Sequence, residues 1–131
     1  MPTFHLQIVT PDGGFYDGQA EKLIVRALGG DVCILPRHAP YVTALGTGEA
    51  TVVIDGQRRK AACAGGMLAV TQDDVRLVAT TFEWAEDIDK SRAQRAKEEA
   101  ERRIQKAKDA NELEMAKAKL SRALTRIKTA Q

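Results

Sequence analysis

The sequence predicts a β + α protein, in which an N-terminal antiparallel β-sandwich or barrel precedes a C-terminal antiparallel two-helix hairpin. Short apolar runs separated by glycine-rich turns fill the first part of the chain. From Ile88 on there is no Gly and no Pro, and strong helix formers dominate. The charge changes too, from seven Lys/Arg against eleven Asp/Glu in residues 1–87 to thirteen against seven in residues 88–131. We therefore expect two domains, over residues 1–84 and 85–131, with different partners.

Seven apolar segments have the length and alternation of β-strands. They cover residues 4–9, 23–25, 32–35, 50–54, 58–62, 67–70 and 75–79. Turn residues separate them, and the clearest turn is Asp55-Gly56, a dipeptide favoured in tight hairpins because both central residues need positive φ. Short strands at this spacing are typical of an antiparallel sandwich or barrel.

Two amphipathic helices are predicted after the junction. Apolar residues recur at spacings of three and four from Ala93 to Ala107 and again from Leu113 to Ile127. Asp109 lies three residues before Glu112, which fits a capping box at the start of the second helix. The short connection predicts that the helices are antiparallel neighbours.

The facing stripe of the hairpin is rich in alanine, which predicts marginal packing. A buried methyl group contributes about 0.8 kcal/mol, against ~1.5–3 kcal/mol for a buried Leu or Ile. The expected large anchors are few: Ile104, Leu113, Leu120, Leu124 and Ile127. Such a hairpin has the composition of a conformational switch.

Sequence motifs of catalysis are absent from the chain. It contains no HExxH, paired CxxC or P-loop pattern, and nothing joins His5 or His38 to a nucleophile. We therefore expect a protein that is not an enzyme and requires no cofactor. Cys33 and Cys63 lie far apart without metal-type spacing and are expected to be small buried thiols. With no signal peptide and no run of ~20 apolar residues, any membrane association is expected to be peripheral.

The second helix carries a basic run. Lys117, Lys119, Arg122, Arg126 and Lys128 follow Glu114 without an intervening acid. The run is either a solvated face or a docking surface for an acidic protein or nucleic acid. The acidic first domain, and the lack of a basic strand interleaved with aromatic residues, argue against nucleic acid.

The segment from Gly30 to Gly48, GDVCILPRHAPYVTALGTG, resembles the G-D-x-x-I-L-P-x-H-A-P-x-x-T-x-L-x-x-G signature of the epsilon subunits of bacterial rotary F-type ATP synthases. The segment TPDGGFYDGQAEKLIVRA is also similar, and the resemblance covers essentially the whole chain. It implies a ten-stranded flattened β-sandwich followed by two antiparallel helices. It also implies a non-catalytic central-stalk subunit of the proton-translocating enzyme, peripheral to the cell membrane on its cytoplasmic side.

The resemblance further implies contacts with the rotor. The loop containing Gly30 and Asp31 matches the part of the family that lies at the ring of c subunits, and the segment with His38 and Thr43 matches the part that faces the gamma subunit. The alternative for His38 is a turn histidine whose ring is satisfied by local backbone.

Residues 88–93, Ile-Asp-Lys-Ser-Arg-Ala, resemble the I/L-D-x-x-R-A motif with which some bacterial epsilon subunits bind ATP. The implied site consists of Ile88, Asp89, Arg92, Ala93, Arg122 and Arg126, with the last two projecting from the second helix toward Arg92. Guanidinium groups bind phosphate oxygens in a forked geometry, so ATP as a regulatory ligand would hold the two helices down. The alternative is that Asp89 is a helix N-cap and the arginines are solvated.

The resemblance also gives the basic second helix a partner. In the family the opened hairpin extends along gamma, reaches the catalytic alpha and beta subunits and inhibits ATP hydrolysis. Two other classes of protein are compatible with the residues alone. One is a β-sandwich ligand-binding module with a helical oligomerisation tail, and the other is a basic-helix binder of nucleic acid.

Overall fold

A computed structural model describes residues 2–131 and contains ten strands, one 3₁₀ turn and two helices. The strands are β1 (Phe4–Thr10), β2 (Gly13–Ala20), β3 (Lys22–Ala27), β4 (Gly30–Ile34), β5 (Tyr41–Ala44), β6 (Thr47–Ile54), β7 (Gln57–Ala64), β8 (Met67–Val70), β9 (Asp74–Val78) and β10 (Thr81–Trp84). The 3₁₀ turn Ala85–Asp87 leads to helices α1 (Lys90–Lys106) and α2 (Ala110–Ala130). The predicted β + α fold is confirmed.

The strands form two five-stranded sheets, so the β-domain is a sandwich and not a barrel. The first sheet has the order β2-β1-β9-β8-β5 and the second the order β10-β7-β6-β3-β4. All pairs are antiparallel except β1 with β9, which is parallel and departs from the expected pattern. A parallel pair requires a long connection between its strands, and here the intervening β-domain supplies it.

Alternating side chains of the two sheets meet in one core. Leu6, Leu23, Val25, Leu68 and Leu77 are fully buried there. Burial of each such side chain contributes ~1.5–3 kcal/mol, so the sandwich has the large anchors that the hairpin lacks. The β6–β7 turn has the predicted conformation, because Asp55 and Gly56 both have positive φ.

Strand β7 is buried on both faces near its C-terminal end. Ala61 and Cys63 point into the core, whereas Ala62 and Ala64 belong to the opposite face and are still only 6% exposed. Helix α2 covers that outer face, where Arg122 and neighbouring side chains line a narrow crevice with the two alanines. The small alanine side chains allow the helix to lie close to the sheet.

Both helices begin at the predicted caps. The Asp89 carboxylate accepts a hydrogen bond from the N–H of Arg92 at 3.0 Å, and the Asp109 carboxylate accepts one from the N–H of Glu112 at 2.8 Å. The second half of the capping box differs from the expected form. Glu112 accepts from the N–H of Lys108, one residue before the cap.

Small residues make up the buried stripe of the hairpin. The buried helical residues are Ala93, Ala100, Ala116, Ala123 and Thr129. No Leu or Ile of the two helices is fully buried, and the expected anchor Leu124 is wrong, because it faces away from the sheet and is 45% exposed. The predicted shortage of large anchors is therefore confirmed.

The two cysteines differ in environment. Cys63 is buried as expected, but the expectation for Cys33 is wrong, because this residue is exposed on the edge strand β4.

No helix within residues 2–131 is both long and apolar enough to cross a membrane.

Candidate nucleotide-binding site

A cavity of about 190 Å³ lies where the sandwich meets the hairpin. Its lining consists of Glu83, Asp87, Ile88, Asp89, Arg92, Ala93 and Arg126. Five of the six residues predicted from the sequence therefore come together around one space, and the sixth, Arg122, does not line it. The volume is below the ~300 Å³ at which small-molecule pockets usually begin.

The first wall of the cavity is the segment that turns the chain into α1. Ile88 and Asp89 have extended backbone, with φ of −76° and −80°. The Asp89 carboxylate is occupied as the cap of α1, which confirms the N-cap alternative for this residue. The first turn of a helix presents N–H groups and the positive end of the helix dipole, and Arg92 and Ala93 lie in that turn.

The opposite wall joins α2 to the last strand of the sandwich. Arg126 donates from Nε to Glu83 Oε1 at 2.6 Å, and the two side chains are 32% and 36% exposed. The guanidinium of Arg126 is therefore already held by a carboxylate. Only its Nε–H is engaged by Glu83, so the Nη groups of Arg126 remain as donors for a phosphate group.

Arg92 and Arg122 differ from Arg126 in having no carboxylate partner among residues 2–131. Arg122 lies one turn before Arg126 and lines the adjoining crevice with Thr47, Ala62 and Thr81. Because α2 runs across the outer face of the second sheet, this one-turn step carries Arg122 away from Arg92.

Three carboxylates, of Glu83, Asp87 and Asp89, face two guanidinium groups around the cavity. Sequence reasoning missed Glu83 and Asp87, which come from outside the I-D-x-x-R-A motif. The signal for Glu83 was local: in Thr81–Trp84 it lies between the buried residues Phe82 and Trp84 and so points out of the core. In the closed arrangement an anion can meet the guanidinium of Arg92, which forms no ion pair among residues 2–131, and the Nη donors of Arg126.

The predicted c-ring residues lie in the β3–β4 hairpin. Gly30 has a φ of +129°, a conformation that favours glycine. The Asp31 carboxylate accepts from Arg26 Nε at 2.7 Å across the hairpin. Leu28, in the turn, is 75% exposed, so this tip offers both an apolar and a charged side chain.

The residues predicted to face the gamma subunit, His38 and Thr43, lie in the loop after β4 and in β5. His38, in the loop that follows the other end of β4, has its Nδ1 2.7 Å from the carbonyl oxygen of Ala39, as expected for a ring satisfied by local backbone. Thr43 is in the edge strand β5 and donates to the carbonyl oxygen of Ala44 at 3.3 Å. The segment with Thr43 adjoins the β3–β4 turn, because the N–H of Leu28 donates to the carbonyl oxygen of Ala44 at 3.2 Å, whereas His38 follows the other end of β4.

An exposed apolar patch lies on the outer face of the first sheet, on the opposite side of β5 from Thr43, which pairs with the core residue Leu68. Val42, Met67 and Val78 come from β5, β8 and β9 and are 65%, 46% and 43% exposed. Met67 lies opposite Ala44 on one side and Val78 on the other. Contiguous exposed apolar surface of this kind is typical of a protein interface.

The fold and the junction define a class of protein: a β-sandwich that carries a helical hairpin docked on its outer face, with an arginine-containing cavity between them. Two family models match this division in succession. Residues 3–85 match the β-sandwich domain of the ATP synthase delta/epsilon chain, and residues 86–131 match its long α-helix domain. The chain belongs to the ATP synthase delta/epsilon chain family, which confirms the family named from the sequence.

Bacterial relatives that match over nearly their whole length are named ATP synthase epsilon chain. The chain is 44% identical to the ATP synthase epsilon chain of Bacillus velezensis over 130 residues, covering 99% of this chain and 98% of that one. It is 40% identical to the epsilon chain of Bacillus licheniformis over the whole of both chains. It is 36% identical to that of Caldicellulosiruptor bescii, covering 100% of this chain and 96% of the relative.

Solved structures with the same fold come from mitochondrial ATP synthases. One is a chain of the OSCP/F1/c-ring structure from Euglena gracilis, with a TM-score of 0.79, 21% identity and coverage of 92% of this chain and 78% of that one. Another is from the central stalk/c-ring structure of Tetrahymena thermophila, with a TM-score of 0.73, 11% identity and coverage of 99% and 98%. At these identities the likeness shows the fold alone.

Proposed function

We propose that this chain is a non-catalytic subunit of the central stalk of an F-type ATP synthase, which couples the rotor to the catalytic head and restrains ATP hydrolysis through its hairpin. The bacterial relatives, matched over their full length, are named ATP synthase epsilon chains. The subunit would be peripheral to the cell membrane on its cytoplasmic side, held there through the complex.

The sandwich is proposed to bind the rotor. The patch of Val42, Met67 and Val78 supplies apolar surface for the gamma subunit, and Thr43 and His38 are proposed to add to this contact. The exposed β3–β4 tip, with Gly30 and Asp31, supplies the contact with the c-subunit ring. Burial of apolar area contributes roughly 25 cal/mol per Å², so the patch is the main source of affinity.

The hairpin is proposed to act as a mobile brake. The buried residues of its two helices are mostly alanine, so separation of the helices loses little apolar burial. The individual helices have high intrinsic propensity and persist when they separate. The basic face of α2, with Arg122, Arg126 and Lys128, would then contact acidic segments of the catalytic alpha and beta subunits, in a way that salt weakens.

ATP is proposed to keep the hairpin closed, and so to relieve inhibition, by binding at the junction cavity. The observation that carries this proposal is that Ile88, Asp89, Arg92 and Ala93, from one side of the hairpin, line one cavity with Arg126 from the other. A ligand that needs both helices folded back binds only the closed state and shifts the equilibrium by its differential affinity. At a hundredfold excess over its dissociation constant the shift is about 2.7 kcal/mol, which is large against a weak alanine interface.

Deletion of residues 88–131 tests the brake in the assembled complex. Rotor binding should survive, because the sandwich has its own core, and ATP hydrolysis should rise. A matched pair of triple variants tests the charges: Lys117, Arg122 and Lys128 to Ala should weaken inhibition, whereas Arg95, Arg102 and Lys106 to Ala on α1 should not. Arg126 is left in place because it also pairs with Glu83 of the sandwich. Loss of assembly on truncation, or equal effects of the two triple variants, would contradict the proposal.

Calorimetric titration with ATP, with and without Mg²⁺, tests nucleotide binding by the isolated chain. Arg92→Ala removes an unpaired guanidinium from the cavity and should lower the affinity. Lys90→Ala is the control, because it removes a charge from the same helical turn without touching the cavity. Equal affinities for wild type and Arg92→Ala, or no heat from either, would leave a mechanical brake without a nucleotide sensor.

A further inference from the structure

Arg59 bridges two residues on either side of the domain boundary. It lies on β7, and its guanidinium carbon is 3.9 Å from the centre of the Trp84 ring. The same guanidinium donates from Nη2 to Glu86 Oε1 at 2.6 Å. Trp84 is the last residue of β10, and Glu86 is in the 3₁₀ turn that follows.

The Trp84 ring is anchored on its other side by the core. Phe82 and Phe15 lie with their ring centres 5.4 and 5.6 Å away, and Tyr16 lies at 6.5 Å. Arg59 packs on the outer side of the ring, and Trp84 is only 7% exposed. A guanidinium group stacks on an aromatic face and binds a carboxylate at its edge at the same time, which a lysine ammonium group cannot do.

We propose that Arg59 is a positioning residue that fixes the segment from Trp84 to Asp87 on the sandwich, so that the hairpin opens by turning about Ile88 and Asp89. This inference rests on the mobile hairpin of the proposed function. It places the hinge at Ile88, the residue from which the chain contains no Gly and no Pro.

The backbone after the 3₁₀ turn supports this position of the hinge. Ile88 and Asp89 are the only residues between Asp87 and the first residue of α1, and both are extended. The N–H of Ile88 makes a long bond of 3.3 Å to the carbonyl oxygen of Ala85, and from Asp89 on the backbone bonds belong to α1. A rotation here leaves Arg59, Trp84 and Glu86 undisturbed.

The hinge divides the junction cavity between two moving parts. Glu83 and Asp87 stay with the sandwich, whereas Arg92 and Arg126 leave with the hairpin. Arg59 does not line the cavity. It therefore affects the site only by fixing the segment that carries Asp87 on the sandwich.

Trp84 reports on this contact in the full-length chain, because it is the only tryptophan. Acrylamide quenching of its fluorescence should rise in Arg59→Gln, which removes the charge and uncovers the ring. Arg59→Lys should give intermediate quenching. Arg58→Gln is the control, since Arg58 is the exposed neighbour on the opposite face of β7 and should leave quenching at the wild-type value.

A second set of variants opens the hairpin without touching the Arg59 contact. Ala64→Arg places a long side chain under α2, and Ala62→Arg serves if the first variant stays closed; hydrogen exchange of α2 amides establishes which variant is open. With Arg59 present, opening should leave Trp84 quenching unchanged, while in Arg59→Gln it should raise quenching further.

Two results would overturn the inference: a rise in Trp84 quenching on opening although Arg59 is intact, or identical quenching in Arg59→Gln and Arg58→Gln. Both measurements use the isolated chain without nucleotide. They therefore separate failure of the hinge from failure of the brake or of ATP binding, which are tested in the complex and by titration.

Discussion

Arg126 of α2 donates from Nε to Glu83 of β10 at 2.6 Å, and this ion pair joins the two domains across 43 residues of sequence. Both side chains are about one-third exposed, so solvent only partly screens the pair. Around it Arg122 and Thr125 of α2 face the small side chains of Ala62 and Ala64. The contact is therefore the most specific polar link between hairpin and sheet.

We expect a coupling energy of about 0.5–1 kcal/mol between Glu83 and Arg126, the upper part of the range for partly exposed pairs. A double-mutant cycle with Glu83→Gln and Arg126→Gln, measured by hydrogen exchange of α2 amides, gives this value directly. High salt should reduce it. Lys128→Gln, which removes an unpaired charge from the same helix, is the control; additive effects of the two substitutions would show that the pair does not hold the hairpin.

Gly66 is predicted to be intolerant of any side chain. Its φ is +114°, and a Cβ atom would lie 1.8 Å from the carbonyl oxygen of Val78. Gly66→Ala should therefore lower the free energy of unfolding by roughly 3 kcal/mol, because backbone of the sheet must move. Gly14→Ala has open space around its Cβ and should change stability by less than about 1 kcal/mol. Chemical denaturation of both variants makes the comparison, and similar losses would contradict the close approach at Gly66.

The sequence pattern predicted seven of the ten strands, and the three that it missed share a physical cause. Strand β2 is an edge strand rich in glycine and polar residues, so it has no clear alternation. Strands β5 and β10 have four residues each and mix apolar with polar side chains, whereas the equally short β8 is wholly apolar and was predicted. Only the resemblance to a family implied all ten.

The candidate site was predictable where its residues are close in sequence. Ile88, Asp89, Arg92 and Ala93 form one motif, and the cap geometry follows from it. Glu83 and Arg59 could not be placed in the same way, because they reach the junction through the register of β10 with β7. Arg122 lines the adjoining crevice and not the cavity, since helical spacing fixes a face but not the path of α2 across the sheet.

The two thiols should react at very different rates in the native protein. Cys33 is exposed on an edge strand, whereas burial raises the pKa of Cys63 to about 12, so almost no thiolate forms there at neutral pH. A disulfide reagent should titrate one thiol in native protein and two after unfolding. The variant Cys33→Ser should lose the fast reaction, and fast labelling that persists in this variant would show that Cys63 is accessible.

His5 should contribute to stability in a way that depends on pH. It lies on β1 between Asp17 of β2 and Asp74 of β9, with Nε2 2.5 Å and Nδ1 2.7 Å from their carboxylates. The hydrogen bond with Asp17, and then that with Asp74, raise the pKa of His5 above its usual 6.5. The stabilisation is fully present below the unfolded-state pKa and is lost as the pH rises through the higher folded-state value. The melting temperature of His5→Gln should therefore fall below that of wild type in mildly acidic solution, and the difference should shrink in alkaline solution.

Titration by NMR gives the pKa of His5 itself, with His38→Gln to assign the two histidine signals. Asp17→Asn should lower this pKa more than Asp74→Asn, because the Asp17 hydrogen bond makes the larger contribution. A difference in melting temperature that stays constant with pH, or an unshifted His5 signal, would show that the two carboxylates do not hold the protonated ring.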